Sequence, residues 1–321
     1  MPELRVDPLT GLRSIVAGER RDRPGGGFAV EPAPVIDPET DPFLEGHEDR
    51  TPPERHRTGG GAPNGPGWTV RVVPNLYPAL GPAPDEPLPR HPNPDLFFAS
   101  HATGAHEVIV NSPRPVSTLG ELTVDELTGA MQAWKERMRA HGGAAYVHLI
   151  VNERREAGAS LPHTHAQLYA LDFVPAAVAR ERERAGAYAT RTMGSSLLGD
   201  LVQEEVRLRD RLVAYDREAV LLAPYASRVP YQLMLAPRTP HPRFEEDGVT
   251  GAALLHDALN RLARHLGAPP PLNLWVRTAP AGAWRIDVFP RLTHLAGLEL
   301  GAGVNLNVVA PERAAAELRD A

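Results

Sequence analysis

The sequence predicts an α+β fold in which two similar halves with antiparallel sheets join as one unit. Three observations carry that prediction. Two strand patterns, one helical pattern and two further strand patterns run through residues 68–171. The same order returns between residues 219 and 290. Strands that come in runs, rather than alternating one for one with helices, favour antiparallel pairing. The 321 residues suit about two units of about 150 each.

Taken in chain order, residues 24–66 read as a long irregular segment. PGGG, EPAPVIDPETDP, TPPE and GGGAPNGP crowd glycine and proline into it. WTVRVVPN (68–75) and HEVIVN (106–111) alternate like strands, with a proline-rich loop over 80–95 between them. Thr123-Val-Asp-Glu126 is a capping box that starts a helix. Val124, Leu127, Met131, Trp134 and Met138 continue it at helical spacing, and Gly142-Gly143 ends it. AYVHLIVN (145–152) and THAQLYAL (164–171) are the next strands. Residues 174–214 are charged and expected to be mostly helical (ARERERAGAY, LVQEEVRLRDRLVAYD). AVLLAP (219–224) and YQLMLAP (231–237) read as strands. A helix over 249–266 carries Leu254, Leu255, Leu259, Leu262 and Leu266, and LNLWVRT (272–278) and WRIDVFP (284–290) are the last strands. The expected division is 1–172 for an N-terminal half, 173–214 for a helical connector and 215–321 for a C-terminal half.

Composition excludes several classes. Lys plus Arg number 34 against 40 Asp plus Glu, a net charge of −6, which argues against coating nucleic acid or a membrane surface. Lys135 is the sole lysine, so it alone could serve as a Schiff-base or P-loop lysine. With no cysteine there is no thiolate nucleophile, disulfide or cysteine-ligated zinc. No apolar run reaches the roughly 18 residues of a membrane span. The polar opening MPELRVDPLTGLR lacks the apolar core of a signal peptide, so a cytoplasmic protein is expected.

The chemistry concentrates in Asn152-Glu-Arg-Arg-Glu-Ala-Gly158-Ala-Ser160-Leu-Pro-His163-Thr-His165-Ala-Gln167. The strand period of 2 puts His163, His165 and Gln167 on one face. The glycine-serine turn before them can offer backbone N–H groups to an anion. A neutral imidazole there can attack phosphorus and carry it covalently, if a neighbour accepts the proton of its other nitrogen. Gln167 can donate to a phosphoryl oxygen but cannot titrate. HxH alone also fits a metal pair or two structural histidines; HxHxQ after GAS is more specific.

On these residues the chain resembles the galactose-1-phosphate uridylyltransferase family, the transferase branch of the histidine-triad superfamily, nearly end to end. DPLTGLRSIVAGERRDRP is similar to the family's opening, which implies that Arg20 and Arg23 contact the nucleotide. RVVPNLYPAL implies that Asn75 lines the nucleotide pocket. Asn152, Gly158, Ser160, His163, His165 and Gln167 match the catalytic segment. WRIDVFPRLTHLAGLELGAGVNLNVVAPE resembles the closing segment, which implies that Glu299 and Asn305 contact the hexose. The resemblance implies His165 as the nucleophile of a nucleotidyl-His165 intermediate, with Gln167 where the hydrolase branch has a third histidine. It also implies histidine-triad-like halves, nucleotide-sugar and sugar-phosphate substrates and a homodimer, with no nucleic-acid or membrane partner.

Laying WRIDVFPRL on PHTHAQLYA puts Ala283 on His163, Arg285 on His165 and Asp287 on Gln167. The second half then lacks a nucleophile, and one active site per chain is expected. The family's zinc-ligand positions read Asp41, Leu44, Pro115 and His163, so the metal is expected to be lost and no cofactor is expected. Packing of Phe43 and salt bridges are expected to hold that loop instead. The expected function is transfer of a nucleoside monophosphate from a nucleotide sugar to a sugar 1-phosphate through His165. One alternative is a nucleotide-sugar or dinucleoside polyphosphate phosphorylase that uses inorganic phosphate. Another, of a different class, is a nucleotide-binding protein without turnover. His101 and His106 read as lying outside the site.

Overall fold

The computed structural model describes residues 1–22, 27–89, 91–278 and 282–321. The chain opens with β1 (Glu3–Val6) and β2 (Arg13–Val16), which pair with β13 (Val304–Asn307) in a three-stranded sheet. β13 runs parallel to β2, with Asn305 opposite Ser14. This sheet ties the two ends of the chain together. Sequence reading missed it because its strands are four residues long and its partners nearly 300 residues apart.

The other strands form one ten-stranded antiparallel sheet. They are β3 (His56–Gly59), β4 (Trp68–Pro74), β5 (Gly104–Val110), β6 (Tyr146–Glu153), β7 (His165–Leu171), β8 (Leu212–Tyr215), β9 (Ala219–Leu222), β10 (Leu233–Pro237), β11 (Leu272–Arg277) and β12 (Arg285–Pro290). Their order is β3-β4-β5-β7-β6-β11-β12-β10-β9-β8. The expected α+β class with antiparallel sheets is what the structure has. The order runs outward in the same sense on both sides of the β6–β11 pair, where Asn152 stands opposite Asn273.

Two of these strands correct the sequence reading. β3 lies inside the segment read as irregular; it pairs with β4 through His56↔Val72 and breaks register at Thr58/Gly59. Residues 212–215, read with the helical connector, form β8. Leu212 and Val213 are buried, and the strand pairs with β9 at the sheet edge. Helical periodicity in the connector ends with α3 at Leu208.

Helix α1 (Val124–Ala140) starts as expected: Thr123 accepts from the Glu126 N–H at 3.2 Å, and Glu126 accepts from the Thr123 N–H at 2.7 Å. Its buried stripe of Leu127, Met131, Trp134 and Met138 packs on one face of the sheet. Trp134 also donates its indole N–H to Asn111 at 2.9 Å. Helix α4 (Ala252–Leu266) lies beside α1 and buries Leu254, Leu255, Leu259 and Leu262 in the same core. Side chains that alternate inward along the strands, such as Leu149, Val151, Ala166, Leu168, Leu274 and Val288, complete this layer.

The opposite face is covered unevenly. Helix α3 (Leu197–Leu208) lies over the β9–β10 side, where Leu198 and Val202 meet Val220, Leu222 and Met234, and α2 (Ala176–Arg191) sets Glu181 against Arg277 of β11 and Arg285 of β12. Over β4 and β5 a loop takes their place: Phe43 packs with Trp68, Val73, Val108 and Val110. Short α5 (Gly297–Ala302) and α6 (Pro311–Arg319) flank β13. Among the described residues no helix is long and apolar enough to cross a membrane.

Candidate active site

β7 lies between β5 and β6, with Val110↔His165, Val108↔Gln167 and His106↔Tyr169 on one side and Ile150↔Gln167 on the other. Ala166, Leu168 and Ala170 enter the core, so His165, Gln167 and Tyr169 take the opposite face.

His165 is 6% exposed. Its Nδ1 lies 2.7 Å from the carbonyl oxygen of His163. A carbonyl only accepts, so Nδ1 carries the proton and the Nε2 lone pair stays free. Burial lowers the pKa of His165 below the ordinary histidine value. The hydrogen bond to the His163 carbonyl and the charge of Asp41 oppose burial without cancelling it. The Phe43 ring meets the imidazole edge-on, with centroids 5.2 Å apart. The residue is thus a neutral, desolvated imidazole whose Nε2 has no hydrogen-bond partner among the described residues.

His163 precedes the strand and is fully buried. Its Nδ1 faces Asp41 Oδ2 at 2.6 Å, and its Nε2 faces the Ser112 carbonyl at 2.8 Å. Burial works to raise the pKa of Asp41, but the hydrogen bond and charge of His163 outweigh it and hold the carboxyl below its usual range. Asp41 also accepts from the Phe43 N–H at 3.0 Å, and its carbonyl meets His47 Nδ1 at 2.7 Å. The four residues at the zinc-ligand positions therefore do not fit a metal. Leu44 and Pro115 carry no ligating side-chain atom, and Asp41 and His163 are bonded to each other. Among the described residues no cluster of three or more His, Cys, Asp or Glu stands where an ion could be held.

Gln167 is held by Tyr169, to which the sequence assigns no role, and by His106, which it places outside the site. Its Oε1 accepts from the Tyr169 hydroxyl at 3.0 Å and lies 3.0 Å from His106 Nε2. The Ala79 N–H donates to His106 Nδ1 at 3.1 Å, so the proton of a neutral His106 sits on Nε2 and points at Gln167. Burial lowers the pKa of His106, and the bond to Gln167 offsets part of that. The His106 and Tyr169 rings stack with centroids 4.1 Å apart. With both carbonyl lone pairs of Gln167 engaged, its NH₂ group is left for a ligand. Asn75 lies beside this cluster, its Nδ2 3.1 Å from His106 Nε2, where two donors face each other and no hydrogen bond forms in this tautomer. No local signal marks His106. Only the β5–β7 register, across 61 residues, brings it to Gln167.

Asn152 ends the face of β6 opposite the core. Asn273 donates to Asn152 Oδ1 and to the Ala157 carbonyl, both at 2.7 Å, and so ties the turn 155–158 to β11. Gly158 has φ +92°, a left-handed conformation that a side chain would strain. Arg154 adopts φ +72°, and its guanidinium is fixed by the carbonyls of Glu31 at 2.6 Å and Pro269 at 3.1 Å. The N–H groups of Ala157, Gly158 and Ala159 are spent on carbonyls within the turn. The expected cradle of backbone donors thus moves on to exposed Ser160, whose N–H and hydroxyl have no partner among the described residues.

The remaining candidates lie elsewhere. Arg20 is exposed just past β2. Asn305 donates to the Arg13 carbonyl at 3.2 Å. Glu299 caps α5, accepting from the N–H groups of Ala296 at 2.9 Å and Leu306 at 3.2 Å. These three gather around the three-stranded sheet. No hydrogen bond or ion pair among the described residues joins them to His163, His165 or Gln167. Arg23 lies outside the described residues. Lys135 is not free: its Nζ donates to the carbonyls of Asp247 at 2.8 Å and Val249 at 2.5 Å.

Comparison with known proteins finds relatives over nearly the whole chain. Residues 1–175 match the family model described as galactose-1-phosphate uridyl transferase, N-terminal domain. The chain is 28% identical to an ADP-glucose phosphorylase of Arabidopsis thaliana over 99% of this chain and 93% of that protein. It is 30% identical to a galactose-1-phosphate uridylyltransferase of Haemophilus influenzae over 76% of this chain and 68% of that protein. The crystal structure of an ADP-glucose phosphorylase from Arabidopsis thaliana with bound ADP-glucose superposes with a TM-score of 0.82 at 26% identity, covering 100% of this chain and 99% of that one.

Proposed function

The chain belongs to the galactose-1-phosphate uridylyltransferase family, and from that premise we propose that it transfers a nucleoside monophosphate from a nucleotide sugar to a phosphate acceptor through His165. The observation that carries the reading is the free Nε2 of a neutral His165 on the same face as the unspent amide of Gln167. Nε2 attacks the α-phosphorus of the nucleotide sugar. The bond from that phosphorus to the bridging oxygen breaks, and sugar 1-phosphate leaves with the electron pair. The positive charge on the nucleotidyl-imidazole is met by the His163 carbonyl at Nδ1–H. Gln167 N–H and Ser160 donate to the phosphoryl oxygens. An oxygen of the acceptor phosphate then attacks phosphorus, and the P–N bond breaks back to the lone pair of Nε2. A phosphate acceptor is already ionised and needs no base, whereas water would need one. Gln167 cannot accept a proton, so hydrolysis of the intermediate is disfavoured.

The acceptor in the first reading is a sugar 1-phosphate. A second reading takes inorganic phosphate, and the nearly full-length match to an ADP-glucose phosphorylase favours it. Either way the enzyme needs no resident metal at Asp41 and His163, because Asp41 itself fixes His163. The halves divide as 1–172 and, with β8 added to the expected 215–321, 212–321 around the connector, with the one nucleophile in the first. Arg20, Arg23, Glu299 and Asn305 serve the site in a homodimer, from the partner copy. The test offers purified protein UDP-glucose or ADP-glucose, with either galactose 1-phosphate or inorganic phosphate. Turnover with the hexose phosphate supports the first reading, and turnover with inorganic phosphate alone supports the second. Failure to trap labelled nucleotide on the protein under any combination sinks both.

A further inference from the structure

On the same sheet face as His165, but past β11, lies a cavity of about 120 Å³ whose lining includes Arg228, Gln232, Trp275, Arg277, Arg285 and Asp287. It contains none of the residues of the candidate active site. Most of its carboxylate oxygens are taken. Asp287 Oδ2 binds Arg285 at 3.0 Å, and Glu181 binds Arg285 at 3.0 Å and Arg277 at 3.3 Å. Asp7 accepts from Leu9 N–H and the Thr10 hydroxyl.

Its donors are not spent. Trp275 Nε1 and Arg277 Nε are buried without a hydrogen-bond partner. The Arg228 backbone N–H donates to Gln232 Oε1 at 2.7 Å, but its guanidinium makes no hydrogen bond or ion pair among the described residues. Its guanidinium lies over the rings of Phe289 at 4.7 Å and Trp275 at 5.5 Å. Stacking fixes the plane of the fork but satisfies none of its N–H groups. A buried donor left unmade is costly, and a cavity walled by several of them is built for a ligand rich in acceptors. The charge of Arg228, which Asp287 and Asp7 meet only from beyond ion-pair distance, makes that ligand an anion. The volume is several times what one water requires, which leaves room for more than a bare ion.

We propose that this cavity, through Arg228, Trp275 and Arg277, binds a phosphate monoester carried on a small polar body such as a sugar, as a second site distinct from that of His165. The phosphate takes the Arg228 fork. The spare N–H groups of Trp275 and Arg277 take further oxygens. β11 serves both places, since Asn273, two residues before Trp275, holds the turn beside the active site. The proposal does not depend on the reaction assigned to His165.

Equilibrium dialysis with labelled glucose 6-phosphate and with inorganic phosphate tests it. The expected result is saturable binding of glucose 6-phosphate, at least ten-fold tighter than inorganic phosphate and unchanged in His165→Ala. Arg228→Met keeps the stacked stem and Trp275→Phe keeps the ring, and each weakens binding at least ten-fold while thermal unfolding shows it folded. Absence of saturable binding overturns the site. So does binding that survives both variants, or binding lost in His165→Ala. Equal affinity for inorganic phosphate overturns the sugar-phosphate assignment. A protein that binds glucose 6-phosphate but never labels His165 keeps this site and loses the proposed reaction.

Discussion

β7 and β12 occupy corresponding places in the sheet, each second from the β6–β11 junction, and they present opposite chemistry on one face. On β7, His165 spends one nitrogen on a carbonyl and keeps the other, and Gln167 spends its carbonyl and keeps its amide. On β12, Arg285 and Asp287 bind each other at 3.0 Å, and α2 lays Glu181 on the same guanidinium. The charges hold Arg285 protonated far into the alkaline range, although burial alone would act the other way. Reactivity arises where polar groups are only half satisfied. Where they are fully paired, the same strand position becomes structure. Coverage follows the same division: helices close the β12 side, and a loop carrying Phe43 borders the β7 side.

The contrast can be broken most sharply at its two ends. His165→Ala is expected to abolish covalent labelling and reduce transfer by about 10⁴-fold or more, with the unfolding midpoint little changed. Labelling that survives this substitution removes the covalent mechanism. Arg285→Met is expected to do the reverse and lower stability by about 3–5 kcal/mol, because Asp287 and Glu181 lose a buried partner. Urea unfolding measures it, and an unshifted midpoint would show that β12 is not held by its charges.

Smaller effects sharpen the β7 side. Gln167→Ala should slow transfer roughly 10²-fold, the scale for one lost oxyanion donor, while the labelled intermediate remains detectable. His106→Phe keeps a ring against Tyr169 but removes the donor that orients Gln167. A loss of roughly ten-fold is expected, the scale of about one hydrogen bond. Combined with Gln167→Ala it should add little, because both act through one amide; full additivity would separate the two residues. The least change is expected in the pH profile of labelling. Since burial lowers the pKa of His165 below 6.5, the reactive neutral form persists as pH falls through that value. A labelling rate that halves at pH 6.5 or above would contradict the desolvated imidazole.

Much of the site was legible because its signals are local. The capping box at Thr123 and the stripe through Trp134 act within one or two turns, and α1 follows them. The alternation of His165 and Gln167 with Ala166 and Leu168 settles their face from the strand period alone. The absence of cysteine and the solitary lysine restricted the nucleophile before any geometry was known.

What tertiary structure decided are the partners. Asp41 meets His163 across 122 residues, and His106 meets Gln167 across 61. The spare N–H groups of the Arg228 cavity appear only once β11 and β12 are side by side. Propensity and periodicity report interactions between near neighbours in the chain. Strand order, register and the pairing of buried polar groups depend on segments that collapse together from afar, and no short window of sequence contains them.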